Sequence, residues 1–248
     1  MYTIQTLLTD LAALGIDPNG TLMAHLSYKA IGEVEGRGDA VLDALSEYMR
    51  GGLLVLPGHT WRNVNAQNPV MDVLYTPVCV GVLPELFRKR PGVRRSLHPT
   101  HSLAALGAGA DDFAAGEALV NTPCGENGAY YKLWERDAQI LLIGVNYTRN
   151  TFIHGIEEWE HAKDSIAPEE IDMYVIDYEG RRLYTPQRRH CAPLGSDTFG
   201  KLEAPAMQAG ILTIGKFGGA DARLTRAQPL RALAAGILKD DPGYLLRF

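Results

Sequence analysis

Two kinds of apolar pattern alternate along this chain. Thr21-Leu-Met-Ala-His25, Leu53-Leu-Val-Leu56 and Ile140-Leu-Leu-Ile-Gly-Val145 are short apolar runs with little or no polar face, as expected of strands covered by helices on both sides. Between such runs the spacing turns helical. Ile4, Leu7, Leu8, Leu11 and Leu14 share one face and stop at Gly15, predicting an amphipathic helix over 2–14, and the stretch Gly38–Arg50 predicts another that Gly51-Gly52 closes. Helices are expected near 80–90, 110–116, 128–135, 151–160 and 197–209, with extended chain near 101–106 and a strand at 138–145. Met173–Asp177 reads as a strand entering a hairpin at Tyr178-Glu-Gly180, Ile211–Ile214 as a strand, and a last helix is expected from about Leu224. Strands alternating with helices predict an α/β fold with three layers, α/β/α, and the hairpin predicts that the central sheet is mixed. No repeat, composition shift or Pro/Ser-rich linker divides residues 1–248, so a single domain is expected.

Charge narrows the partners. The formal net charge is −5 and both signs are mixed along the chain, which argues against a nucleic-acid partner or a cationic membrane anchor. The one basic cluster, Arg181-Arg182 with Arg188-Arg189, reads as the solvated edge of the hairpin. Apolar runs fall well short of the roughly 20 residues that span a bilayer, so no membrane contact is expected. The first ten residues lack the basic start and small-residue cleavage site of a signal peptide. Cys79, Cys124 and Cys191 are odd in number and far apart, which fits reduced thiols and a cytoplasmic location. For oligomeric state the sequence leaves monomer or homodimer open.

The chemistry-bearing segments lie at the ends of the predicted strands. After the run at 140–145, Asn146 to Asn150 reads as a loop and Thr151 as the N-cap of a helix. His154 then sits in the helix's first turn, with Glu157 and Glu158 three and four residues on, on the same face. A histidine exchanges a proton near neutral pH, and a carboxylate beside it fixes its tautomer. The pair therefore reads as a general base with an orienting acid, with Glu157 or Glu158 in the second role. Four more loops are dense in polar groups: 25–32, 57–63, 94–102 and 122–128. The first lacks both the Gly-Lys-Ser/Thr of a P-loop and the glycine spacing of a dinucleotide site. In the second, Trp61 either walls a ligand or plugs the core. His98 and His101, with His59 and Cys124, raise a metal reading. Cys124 is either a nucleophile activated by a histidine or a small buried thiol.

Taken together, these segments resemble the aminoglycoside 3-N-acetyltransferase family, also called the antibiotic N-acetyltransferase family. The resemblance runs from His25 to Trp159 and rests on order as well as content: His25-x-Ser27 with Gly32, the helix Gly38-Asp-Ala-Val-Leu-Asp-Ala-Leu45, and Leu56-Pro57-x-x-Thr60-Trp61. Gly81-x-Leu83-Pro84-Glu85-x-Phe87-Arg88 and Pro91-Gly92-x-x-Arg95-Ser96-x-His98-Pro99-x-x-Ser102-x-Ala104-Ala105-x-Gly107 follow, then Leu141–Val145 and Asn150-Thr151-x-x-His154-x-x-Glu157. The resemblance implies direct acetyl transfer from acetyl-CoA to a primary amine such as an aminoglycoside 3-amino group, the chemistry of antibiotic resistance. It implies His154 as general base with Glu157 orienting it, and contact with the cosubstrate by Ser27, Tyr28, Lys29 and Ala30, with Ser96 and Ser102 helping. His25, Trp61, Asn63, His98 and Glu158 are the expected substrate-side residues, His25 having a structural role in the loop as its alternative. No metal is expected.

Two departures bear on the acceptor. Trp61-Arg-Asn-Val-Asn65 carries no acid where relatives commonly place one for a polycationic drug, and Cys124-Gly125 with Gly128-Ala129 replaces the usual Phe-Gly and Ser-Pro. With Arg62 at the cleft mouth, a less cationic amine is the expected acceptor. The competing readings are a metal-dependent hydrolase built on His59, His98, His101 and Cys124, and a non-catalytic member that binds CoA or another ligand.

Overall fold

In the computed structural model, which describes residues 1–248, the chain runs α1 (Ile4–Ala13), β1 (Thr21–Leu26), the single turn α2 (Tyr28–Ile31), α3 (Arg37–Tyr48) and β2 (Leu53–Pro57). β3 (Val70–Asp72), α4 (Val82–Phe87), β4 (Arg94–Arg95), β5 (Leu103–Gly107) and α5 (Ala110–Ala114) follow, then α6 (Ala129–Glu135), β6 (Gln139–Ile143) and α7 (Phe152–Trp159). The last third holds β7 (Tyr174–Ile176), β8 (Arg182–Tyr184), α8 (Glu203–Gln208), β9 (Thr213–Phe217), β10 (Ala220–Arg226) and α9 (Ala227–Asp240).

Strand periodicity explains the layers. The seven-stranded sheet has the order β4-β5-β2-β1-β6-β10-β9, and β1 is parallel to both β2 and β6 while the outer pairs are antiparallel. Successive side chains on β6 point to opposite faces. Ile140 and Leu142 enter a core with Phe113, Leu133, Phe152 and Leu230 of α5, α6, α7 and α9. Leu141 and Ile143 enter the other, with Leu7, Leu11, Val41 and Phe87 of α1, α3 and α4. This is the expected α/β/α sandwich around a mixed sheet. A separate three-stranded sheet, β3-β7-β8, carries its own small cluster of Val64, Met71, Val73, Met173 and Val175.

The expected elements need several corrections. The segment from Leu224 opens as strand β10, and the last helix starts at Ala227; the preceding strand covers 213–217. Gly218-Gly219, with Gly218 at φ +57, is the hairpin turn that joins β9 and β10, a two-glycine connection the sequence displayed. Residues 195–202 form a 3₁₀ helix that leads into α8. Thr151 does not cap α7: its backbone is already helical and its hydroxyl accepts no cap bond, while Asn146 caps a 3₁₀ turn at Tyr147–Arg149 just ahead. No helix is long and apolar enough to cross a membrane.

Leu141 is fully buried on the central strand. Leu141→Ala is expected to lower stability by about 2–5 kcal/mol, through lost burial and a cavity that packed neighbours cannot close, measured as a shift of the urea midpoint at constant slope.

Candidate active site

Because β1, β2 and β6 are parallel, their carboxyl ends reach one edge of the sheet, where open α/β folds keep their ligands. The β5 strand is antiparallel to β2, with Pro57 opposite Leu103, so the 96–102 loop arrives at the same edge. The loops enclose a cavity of about 1050 Å³. That is at the upper end of the ~300–1,000 Å³ usual for small-molecule sites.

His154 borders this cavity and Glu157 stands behind it. Nδ1 of His154 lies 2.9 Å from Glu157 Oε2, and the two side chains are 13% and 3% exposed. With Glu157 ionised, Nδ1–H donates to it, and Nε2 keeps its lone pair with no partner in the protein. The ring is clamped from both sides: His190 stacks on it at 4.1 Å and 19°, and Phe199 meets it edge-on at 4.6 Å. Glu158 does not hold His154. Its Oε1 accepts from the Cys124 amide at 2.8 Å and pairs with His190 Nε2 at 2.7 Å, away from the main cavity. Burial pushes the Glu158 carboxyl up to about 7 and His190 well below its usual range.

Other imidazoles extend this cluster. His59 and His101 border the cavity, with His101 5.0 Å from His59 and 5.4 Å from His190 between ring centres. His59 Nε2 bonds to Tyr130 Oη at 2.7 Å. Burial lowers His59 and His101 well below 6.5 and His25 to about 4. His25, on β1, borders the cavity with its Nε2 buried and unpartnered.

The remaining expected residues divide. Ser27, Tyr28 and Lys29 line the cavity, and so does Trp61, 44% exposed, so Trp61 is a wall and not a core plug. Ala30 faces away, packed on Gly144. Ser96 and Ser102 are sealed: Ser96 donates to Glu117 at 2.6 Å, and Ser102 donates to the Gly58 carbonyl at 2.7 Å and accepts from Arg95 at 3.1 Å. His98 is fully buried, giving Nε2–H to the Thr122 carbonyl and accepting the Thr100 and His101 amides at Nδ1. Asn63 lies outside the cavity, bonded to the Pro77 carbonyl. These four polar groups are absorbed by loop architecture.

Cys124 is buried, and burial pushes its thiol well above 9, the opposite of an activated nucleophile. The expected metal set does not assemble, since His59 and His98 bond elsewhere. A different trio, Cys124, Glu158 and His190, brings its ligand atoms within 4.8 Å of one another. Sequence reasoning also missed residues beyond the matched segments. His190 and Phe199 pack against His154, and Arg188 and Arg189, expected at a solvated hairpin edge, line the cavity. The run Arg188-Arg189-His190 was their one visible signal.

A profile of the aminoglycoside 3-N-acetyltransferase family matches residues 23–239, and the chain belongs to that family. It is 29% identical over 246 residues to aminoglycoside N(3)-acetyltransferase VII of Streptomyces paromomycinus, a match that covers 88% of this chain and 85% of the relative. Aminoglycoside N(3)-acetyltransferase IV of Salmonella sp is 28% identical over 239 residues, covering 95% and 87%. Among solved structures, the apoenzyme of aminoglycoside acetyltransferase AAC(3)-IVa superposes with a TM-score of 0.85 at 25% identity, covering 100% of this chain and 92% of that one. AAC-IIIb in binary complex with CoASH gives 0.84 at 25% identity, covering 96% of each.

Two outcomes are expected. Ser102→Ala lowers stability by about 1–3 kcal/mol by stripping a partner from buried Arg95 and leaves CoA affinity, read by calorimetry, unchanged. Stability also falls with acid. Below about 6.5 the unfolded chain protonates His25 while the folded chain cannot until about 4, and His59, His101 and His190 act with the same sign. Glu158 opposes them, since its folded carboxyl takes a proton below about 7. The imidazoles outnumber it. His25 alone is worth roughly 2 kcal/mol at about pH 5, so His25→Gln is expected to shrink the drop in urea midpoint between about pH 7 and pH 5.

Proposed function

We propose that this chain transfers the acetyl group of acetyl-CoA directly to a primary amine, with His154 as general base and Glu157 as the residue that orients it. One observation carries this reading: a buried carboxylate anchors Nδ1 of His154, while Nε2 is left free beside a cavity of about 1050 Å³. An ammonium is no nucleophile until it loses a proton, and an imidazole can take that proton near neutral pH. Nε2 relays that first proton to solvent and then accepts the second one that the amine nitrogen loses as it bonds to the acetyl carbon. The carbon–sulfur bond then breaks, and CoA leaves as a thiolate that takes up a proton. Glu157 meanwhile faces the imidazolium it helped to form.

The cosubstrate fits the β1–α2 loop. Ser27, Tyr28 and Lys29 line the cavity there, and Lys29 and Arg149 offer unpaired cations for phosphate. Relatives support both halves of the reading: AAC-IIIb is known bound to CoASH, and mutants of AAC(3)-IVa, 26% identical to this chain, in complex with a gentamicin and with apramycin. His154→Ala is expected to lower turnover by about 10² or more while CoA binding survives. Glu157→Gln should cost less, and Glu158→Gln less again. Wild-type turnover in His154→Ala overturns the base, and a greater loss in Glu158→Gln than in Glu157→Gln overturns the orienting role.

A further inference from the structure

The cavity wall has one sign of charge. Lys29, Arg62, Arg149, Arg188 and Arg189 line it, and no aspartate or glutamate does. Elsewhere many arginines meet carboxylates, as Arg88 does Glu85, Arg90 Asp43, Arg181 Asp177, Arg223 Glu203 and Arg231 Glu160, while Arg136 and Arg182 lie over aromatic rings. None of the five cavity cations has such a partner, in a chain whose net charge is −5. Arg62 lies over the Trp61 ring at 5.3 Å, and the Nε of Arg188 is buried with no acceptor. A buried charged donor left unsatisfied is costly, so an anion that reaches this Nε would be favoured there.

CoA accounts for only part of this charge. Lys29 belongs to the β1 loop and Arg149 borders the adjoining cleft beside Ala30, so both suit its phosphates. Arg62 follows β2 instead, and Arg188 and Arg189 immediately precede His190, whose ring lies on His154. Three cations thus stand on segments apart from the cosubstrate loop, two of them adjacent in sequence to the histidine that stacks on His154. A polycationic acceptor is repelled by such a wall, whereas an amine that also carries an anion is drawn to it.

We propose that the preferred acceptor is a primary amine bearing a carboxylate or phosphate, its anionic group held by Arg188 and Arg189 with Arg62 while the amine meets His154. This rests on the acyl-transfer reading above. The wall also serves the chemistry, because nearby positive charge disfavours the ammonium form of the acceptor.

The test uses the full chain, acetyl-CoA and release of free thiol, with acceptors in matched pairs: glucosamine 6-phosphate against glucosamine, and 4-aminobutyrate against its amide, with gentamicin alongside. The anionic member of at least one pair is expected to show kcat/KM about tenfold higher or more, the equivalent of one modest ion pair. Arg188→Gln and, separately, Arg189→Gln should narrow that ratio by raising KM for the anionic member, and added salt should narrow it too. His154→Ala should slow both members alike. Equal rates within both pairs, or gentamicin ahead of every anionic amine, overturn the acceptor class and leave acyl transfer standing. Absence of transfer to any amine overturns the acyl-transfer reading instead. Thermal shift in saturating CoA then decides the acceptor class without turnover: a rise in Tm with the anionic member alone supports it, and equal shifts or none overturn it.

Discussion

The site depends on β6 being closed on every side. Its backbone pairs with β1 on one edge and β10 on the other, and both its faces are buried, so the chain leaves the sheet only at Gly144. That residue has φ +65, and a Cβ there would lie 2.3 Å from the Cβ of Ala30. A glycine is required on both counts. Its bare backbone lets the segment after β1 lie directly on the segment after β6, and the Ser27 amide bonds to the Ile143 carbonyl at 2.8 Å. The spacing between the proposed cosubstrate loop and the helix of His154 is therefore fixed by backbone contact, not by side chains that can swing.

Electrostatics around His154 follow from burial. Two carboxylates and two imidazoles sit together, and charging all of them in a low-dielectric site would be prohibitive. Burial keeps His190 neutral, so its ring can stack on His154 without repelling a proton gained there. Glu158 is engaged by His190 and the Cys124 amide, which leaves Glu157 as the single carboxylate bonded to His154. In the proposed reaction, proton uptake at His154 turns a neutral ring beside Glu157 into an ion pair, with His190 and Phe199 packed against it.

What the sequence revealed and what it hid have physical causes. β1, β2 and β6 were legible because strands buried on both faces must be continuously apolar, and His154 with Glu157 because three residues is one helical turn. Ser96, Ser102 and His98 were misplaced because a polar residue near a site looks the same whether it faces a ligand or its own loop. Only the bonds to Glu117, Gly58 and Thr122 separate the two. β10 was hidden because its pattern, with Asp221 and Arg223 outside and Ala222 and Leu224 inside, is short and runs without a break into the apolar positions of α9. Arg189 is exposed as a solvated edge requires, yet it and Arg188 also line the cavity, because a local run of charge says nothing about the cavity that the fold brings to it.

The two halves of the cavity rest on different parts of the molecule. His154 and Glu157 sit on a helix packed into the main core beside the central sheet, where a change propagates through close-packed neighbours. Arg188 and Arg189 follow the small β3-β7-β8 sheet, whose core is five side chains, and Arg62 lies in the loop that leads to it. Such a peripheral unit can alter its charged residues at little cost to the base. On the proposed reading, the charge of the peripheral wall, more than the ancestry of the sheet, is the physical quantity that selects which amine reaches Nε2.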